Sequence, residues 1–273
     1  MLPPAKGGVH LRRGKSRSFA LASASQRLAA LADDGTVFLW DTATGRRLRF
    51  FKLRDGNADT RAEYDVAISP NGRYLAVCGS GVVRVCDLIS GRIQKAFHFL
   101  HAAVFSPDGK TLFLGGARRF EAWDVKTWQP RSLRKLGDSM THPTFTAIDC
   151  SPDGKWIAGS VNISRPDYTL LAVNEAKTLK DKWDTNIGSL EFMGGVTKLV
   201  YSPSGNRIAV GVSLYDFPEE EQHGVSLSLY NAENGKDAGF YDVKKTIRSI
   251  AFSPDGKYLA ALTDRLTVWP VIS

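Results

Sequence analysis

Ser106-Pro107-Asp108-Gly109, preceded by Phe105 and followed by Leu112-Phe113, reads as a tight turn between two apolar strands. Pro presets φ at the first turn position, and Asp followed by Gly supplies turn geometry at little steric cost. The phrase returns as Ser69-Pro70-Asn71-Gly72, Ser151-Pro152-Asp153-Gly154, Ser202-Pro203-Ser204-Gly205 and Ser253-Pro254-Asp255-Gly256, with a worn copy beginning at Ser23. An apolar residue usually precedes the serine (Ile68, Phe105, Cys150, Tyr201, Phe252), and an apolar pair follows the glycine (Leu75-Ala76, Ile157-Ala158, Ile208-Ala209, Leu259-Ala260). The turn therefore joins strands a and b of a repeated unit.

A third strand ends at Trp40, Cys86, Trp123, Val173, Tyr230 or Trp269. Five of these are followed by Asp or Asn (Asp41, Asp87, Asp124, Asn174, Asn231), and Gly45, Gly91 and Gly235 close the next turn. A carboxylate or amide there accepts turn N–H groups, marking a c–d corner. The fourth strand is polar and variable (Arg46–Lys52, Arg92–Phe97, Lys236–Val243) and belongs at an exposed edge. Four strands repeated at a period of roughly 40–50 residues specify an all-β fold, a β-propeller of six four-stranded blades. The expected domain is single, 1–273, with blade repeats starting near 16, 62, 99, 144, 195 and 246. The last unit ends shortly after Trp269 without a strand d. The N-terminal stretch Gly8–Arg12 is expected to supply that outer strand and complete the last blade.

The chain resembles the WD-repeat (tryptophan-aspartate repeat) propeller family. The resemblance rests on Phe105–Gly109 with Trp123-Asp124, Phe252–Gly256 with Trp269, and Val37-Phe38-Leu39-Trp40-Asp41. Its repeats are degenerate: the Gly-His pair before strand a is absent, and the tight-turn Asp is plausible only at Asp34 and Asp264. The resemblance implies a binding platform without chemistry of its own. Lacking the family's buried His–Ser–Asp–Trp network, its blades are expected to cohere by apolar packing.

No Gly-x-Ser-x-Gly elbow, His-Glu-x-x-His helix or phosphate loop occurs. His98 and His101 are three apart, so on a strand they face opposite sides. No enzyme activity, cofactor or metal is expected. Cys78, Cys86 and Cys150 form no Cys-x-x-Cys pair and read as buried free thiols in a reducing compartment. The N-terminus has no apolar signal core and no run spans a membrane, which favours a cytoplasmic setting; a monomer is expected because a closed ring has no obligate need for a second subunit.

Of the net charge of +8, all lies in residues 1–54, where eleven Lys and Arg face three Asp. Arg12, Arg13, Arg46, Arg47 and Arg49 would form a basic rim on the outer strands of blades six and one. Binding residues concentrate on irregular loops held by a rigid scaffold. The b–c expansions Asn162–Tyr168 and Leu214–His223, with the d–a loop Asn186–Gly195, gather Tyr168, Phe192, Met193, Tyr215 and Phe217 beside Glu219, Glu220 and Glu221. Asp59, Arg61, Glu63 and His142 fall on other d–a loops at the channel mouth. Apolar residues with an acidic border suit a protein or peptide partner. The alternatives are a lactonase-like enzyme or small-ligand binder at the channel mouth, and docking of an anionic polymer on the basic rim. Nucleic acid is disfavoured because no aromatic residues interleave the charges.

Overall fold

The computed structural model describes residues 16–32, 35–52, 65–79, 81–135, 143–164, 167–188, 193–214, 227–243, 245 and 247–271. It is a six-bladed, all-β propeller. Blade one is β1 (Ser16–Ala22), β2 (Arg27–Ala32), β3 (Thr36–Asp41) and β4 (Arg47–Lys52). Blade two is β5 (Asp65–Ile68), β6 (Tyr74–Gly79), β7 (Val82–Asp87) and β8 (Ile93–His98). Blade three is β9 (Leu100–Phe105), β10 (Thr111–Gly116), β11 (Arg119–Asp124) and β12 (Pro130–Lys135). Blade four is β13 (Thr144–Cys150), β14 (Trp156–Ser164), β15 (Asp167–Glu175) and β16 (Asp181–Gly188). Blade five is β17 (Met193–Tyr201), β18 (Arg207–Leu214), β19 (Leu227–Asn231) and β20 (Asp237–Tyr241). The last blade has three described strands, β21 (Ser249–Phe252), β22 (Tyr258–Leu262) and β23 (Leu266–Pro270). The expected completing segment, Gly8–Arg12, lies outside the described residues. No helix among those residues is long and apolar enough to cross a membrane.

Contacts divide the chain into two compact units, Met1–Phe105 and Ser106–Ser273. Within the first, Ala29, Leu31, Val37 and Leu39 of blade one pack on Val66, Leu75 and Val77 of blade two. Within the second, Ala158, Leu171 and Val173 meet Val196, Leu199 and Ile208, and blades five and six are joined likewise through Leu227, Leu229, Ile250 and Leu259. Apolar residues of the inner and middle strands thus bury on a neighbouring blade.

Apolar packing is not the only cohesion. Eight residues beyond the corner residue, the outer strand donates to a backbone carbonyl at the next blade's corner in three cases. Arg49 Nη2 donates to Ser90 O at 3.2 Å, and Nη1 to Ile89 O. Ser132 Oγ donates to Lys177 O at 2.9 Å, and Trp183 Nε1 to Ala232 O at 3.1 Å. Blade five has Gly239 at that position; there Tyr241 Oη reaches Pro270 O at 3.0 Å instead.

The corner of blade four departs from the sequence expectation. Trp156 pairs with Glu175 as Thr111 pairs with Asp124 and Tyr74 with Asp87, so Glu175, not Asn174, holds the corner. Strand c runs one residue further there than residue type suggested, and Asn174 is buried with its Nδ2 donating to Asp181 Oδ1 at 2.9 Å. Four residues past the corner, Trp128 (φ 55) and Leu179 (φ 60) adopt the left-handed backbone taken elsewhere by Gly45, Gly91 and Gly235.

Candidate functional site

The a–b turns are held by their own bonding. Each serine hydroxyl accepts the N–H five residues on: Tyr74 at 2.8 Å, Thr111 and Trp156 at 3.0 Å, Arg207 at 3.1 Å and Tyr258 at 2.9 Å. In three turns the same hydroxyl donates to the turn aspartate at 2.6 Å, which helps hold Asp153 and Asp255 below the usual carboxylate range. Neighbouring turns also touch. A Cβ on Gly154, Gly205 or Gly256 would lie 3.7, 3.5 or 3.7 Å from the Cδ of Pro107, Pro152 or Pro203 in the preceding blade. The repeated phrase is both a hairpin and a lateral contact.

The opposite face is uneven. Strands of blades one to three run four to seven residues, whereas β14, β15 and β17 have nine and β16 and β18 have eight. The expected irregular b–c loop at Asn162–Tyr168 is instead a continued ladder, with Asn162↔Thr169, Ile163↔Tyr168 and Ser164↔Asp167 paired. The d–a connection is shorter than Asn186–Gly195, because β16 runs to Gly188 and β17 begins at Met193. These paired strands raise a wall on blades four and five. Thr169, fully buried, donates its hydroxyl to Asn162 Oδ1 at 3.1 Å, and the Asn162 amide stands 3.1 Å from where a Gly195 Cβ would be.

Of the residues expected here, Tyr168 is half-buried on β15 and Met193 opens β17. Phe192, Tyr215, Phe217, Glu219, Glu220 and Glu221 lie outside the described residues, as do Asp59, Arg61, Glu63, His142, Arg12 and Arg13. Arg46 and Arg47 are exposed, with Arg47 placed over the Phe50 ring at 5.2 Å. Arg49 is committed to the blade-two corner, so it is a structural member of the rim. All three cysteines are buried and outside any disulfide, and burial pushes the Cys150 thiol far up. Among the described residues no three His, Cys, Asp or Glu side chains converge as metal ligands do.

One group escaped the sequence reading. Asp149, on the inner strand of blade four, accepts the Tyr201 N–H of blade five's inner strand at 2.7 Å and the Cys150 N–H at 2.9 Å. Desolvation outweighs these bonds and the attraction of Lys198, pushing its carboxyl up to about 6. A signal was present. The same repeat position holds Leu21, Ala67, Val104, Val200 and Ala251 in the other five blades.

With this geometry in view, the comparisons with known proteins agree on architecture. Residues 59–87 and 240–267 match the family model described as WD domain, G-beta repeat. No curated protein matches the chain. Among solved structures, the chain is similar to Kuenenia stuttgartiensis hydrazine synthase at 19% identity and a TM-score of 0.73, over 97% of this chain and 80% of that one. At that identity the likeness is one of fold alone.

Proposed function

We propose that this WD40-type propeller is a noncatalytic platform that binds a protein or peptide on the face formed by its b–c and d–a connections, in blades four and five. The observation that carries the reading is the wall of lengthened strands at that place. Besides burying Ile163 and Val212, the extension presents a rigid surface to a partner. Three buried cysteines outside any disulfide suit a reducing, cytoplasmic setting.

The test is capture from source lysate by the wild-type protein and by a variant combining Tyr168→Ala, Phe192→Ala and Phe217→Ala, with both melting alike. Loss of one stoichiometric partner is the expected result. Its retention by the variant removes this surface. Stoichiometric calcium or zinc in the purified protein would favour an enzyme instead.

A further inference from the structure

The a–b turns carry a charge pattern. In blades three, four and six the turn aspartate stands beside a lysine two residues on. Lys110 Nζ is 3.9 Å from Asp108 Oδ2, Lys155 Nζ 3.6 Å from Asp153 Oδ2, and Lys257 Nζ 3.9 Å from Asp255 Oδ2. Blade five drops both charges, with Ser204 and Asn206 at these positions. Blades one and two drop only the acid. They hold Ser25 and Asn71 in its place and keep the base, as Arg27 and Arg73. The c–d corners of the same two blades add Arg46 and Arg92, each directly before the outer strand.

Packing within the first unit gathers these charges. Arg27 lies on the blade-two turn, its Cγ 2.6 Å from where a Gly72 Cβ would be, next to Arg73. Arg49 lies on the blade-two corner, its Nη2 3.3 Å from where a Gly91 Cβ would be, next to Arg92. The carboxylates of these turns and corners, Asp41 and Asp87, are engaged. Asp41 Oδ1 accepts the N–H groups of Ala43 and Thr44 and the Thr44 hydroxyl. Asp87 Oδ1 accepts the N–H groups of Ile89 and Ser90, and its Oδ2 accepts Arg73 Nε–H at 3.2 Å. Arg46, Arg73 and Arg92 are exposed. Like charges crowded in this way repel one another in the free protein and attract an anionic partner. At the same corner Ile89 is 71% exposed, where blades one, three, four and five have Ala43, Lys126, Lys177 and Glu233.

We propose that the a–b turns and c–d corners of blades one and two dock an acidic peptide segment. Its carboxylates pair with Arg27, Arg46, Arg73 and Arg92, supplying the acid that these two turns lack, and one of its apolar residues covers Ile89. Guanidinium forks take carboxylates through two parallel bonds, and arginine stands at all four positions where lysine would carry the same charge. A peptide fits better than a nucleic acid because the exposed apolar group at the corner is aliphatic and offers no ring for a base to stack on. The proposal is independent of the wall on blades four and five.

The test is fluorescence anisotropy with a fluorescein-labelled peptide of repeated Glu-Glu-Leu. It is titrated with wild type, with Arg46→Glu/Arg92→Glu, and with a charge-matched control, Lys126→Glu/Lys177→Glu, on the corners of blades three and four. Binding should weaken about tenfold in the arginine variant, much less in the control, and fall with added salt. Ile89→Ser should weaken this peptide and leave plain polyglutamate unchanged; an unchanged peptide would remove the apolar contact. Equal weakening in both double variants, or in neither, would make the attraction a general field and overturn the site. Tighter binding of wild type to an oligothymidylate of equal charge would overturn the peptide as occupant. A peptide lost with Tyr168→Ala but kept by the arginine variant belongs to the blade four–five wall, which sustains that reading and ends this one. A wild-type protein that binds no peptide ends it without touching the wall. Arg46→Glu/Arg92→Glu should melt no lower than wild type, since it relieves repulsion; a markedly lower melt would make these arginines structural and sink the proposal.

Discussion

The indole of Trp183, on the outer strand of blade four, occupies the space that a side chain on Gly235 of blade five would fill. A Cβ there would lie 2.6 Å from Trp183 Cε3. The same indole donates Nε1–H to Ala232 O, so one side chain both bonds and packs against the neighbouring corner. Lys182 extends the joint, with its ammonium 2.6 Å from Glu233 Oε2 and 4.3 Å from the centre of the Trp156 ring.

Gly235→Ala should therefore cost about 1–3 kcal/mol from overpacking, on top of the left-handed backbone at φ 71. Gly45→Ala meets the same backbone (φ 68) with nothing within 4 Å and should cost only the conformational part, about 1 kcal/mol. Urea unfolding of both variants separates the two contributions. Adding Trp183→Ala to Gly235→Ala should give less than the sum of the singles; strict additivity would rule out the clash.

Asp149 should make stability fall as pH rises. Its folded carboxyl titrates at about 6 against an unfolded value of 3.8, so the folded state binds the extra proton. The favourable contribution is complete below about pH 4 and lost as pH passes through about 6, to a limit of about 3 kcal/mol. Asn at this position keeps an acceptor for Tyr201 N–H but cannot titrate. Urea midpoints measured between pH 4 and 7 should slope downward more steeply in wild type than in Asp149→Asn, and equal slopes would contradict the assignment.

Ser151 is buried while Ser253 is only half-buried, although both make the same pair of turn bonds. Removing a hydroxyl strands its buried partners, at a cost of about 1–3 kcal/mol. Ser151→Ala should fall in that range, and Ser253→Ala should cost less because water can replace the lost bonds. A reversed order in chemical denaturation would show that burial is not what sets the value of the turn.

Arg49 and Arg46 should part company. Arg49→Ala loses two carbonyl contacts at the blade-two corner and should lower stability by about 1 kcal/mol. Arg46→Ala, on an exposed side chain, should change it by less than about 0.5 kcal/mol. Equal melting of the two variants would return Arg49 to the solvated rim.

The hairpins, the six units and their strand order were legible in the chain, because turn chemistry and alternation are local and repeat with the fold. Assigning the blade-four corner by residue type chose Asn174; the ladder chose Glu175, since register depends on how far a strand pairs. The same cause turned the expected loop at Asn162–Tyr168 into strand. What no local pattern could specify was lateral: proline of one turn against glycine of the next, Trp183 on Gly235, and Asp149 reaching Tyr201. Those contacts join residues some fifty positions apart, and only packing one sheet on another brings them together.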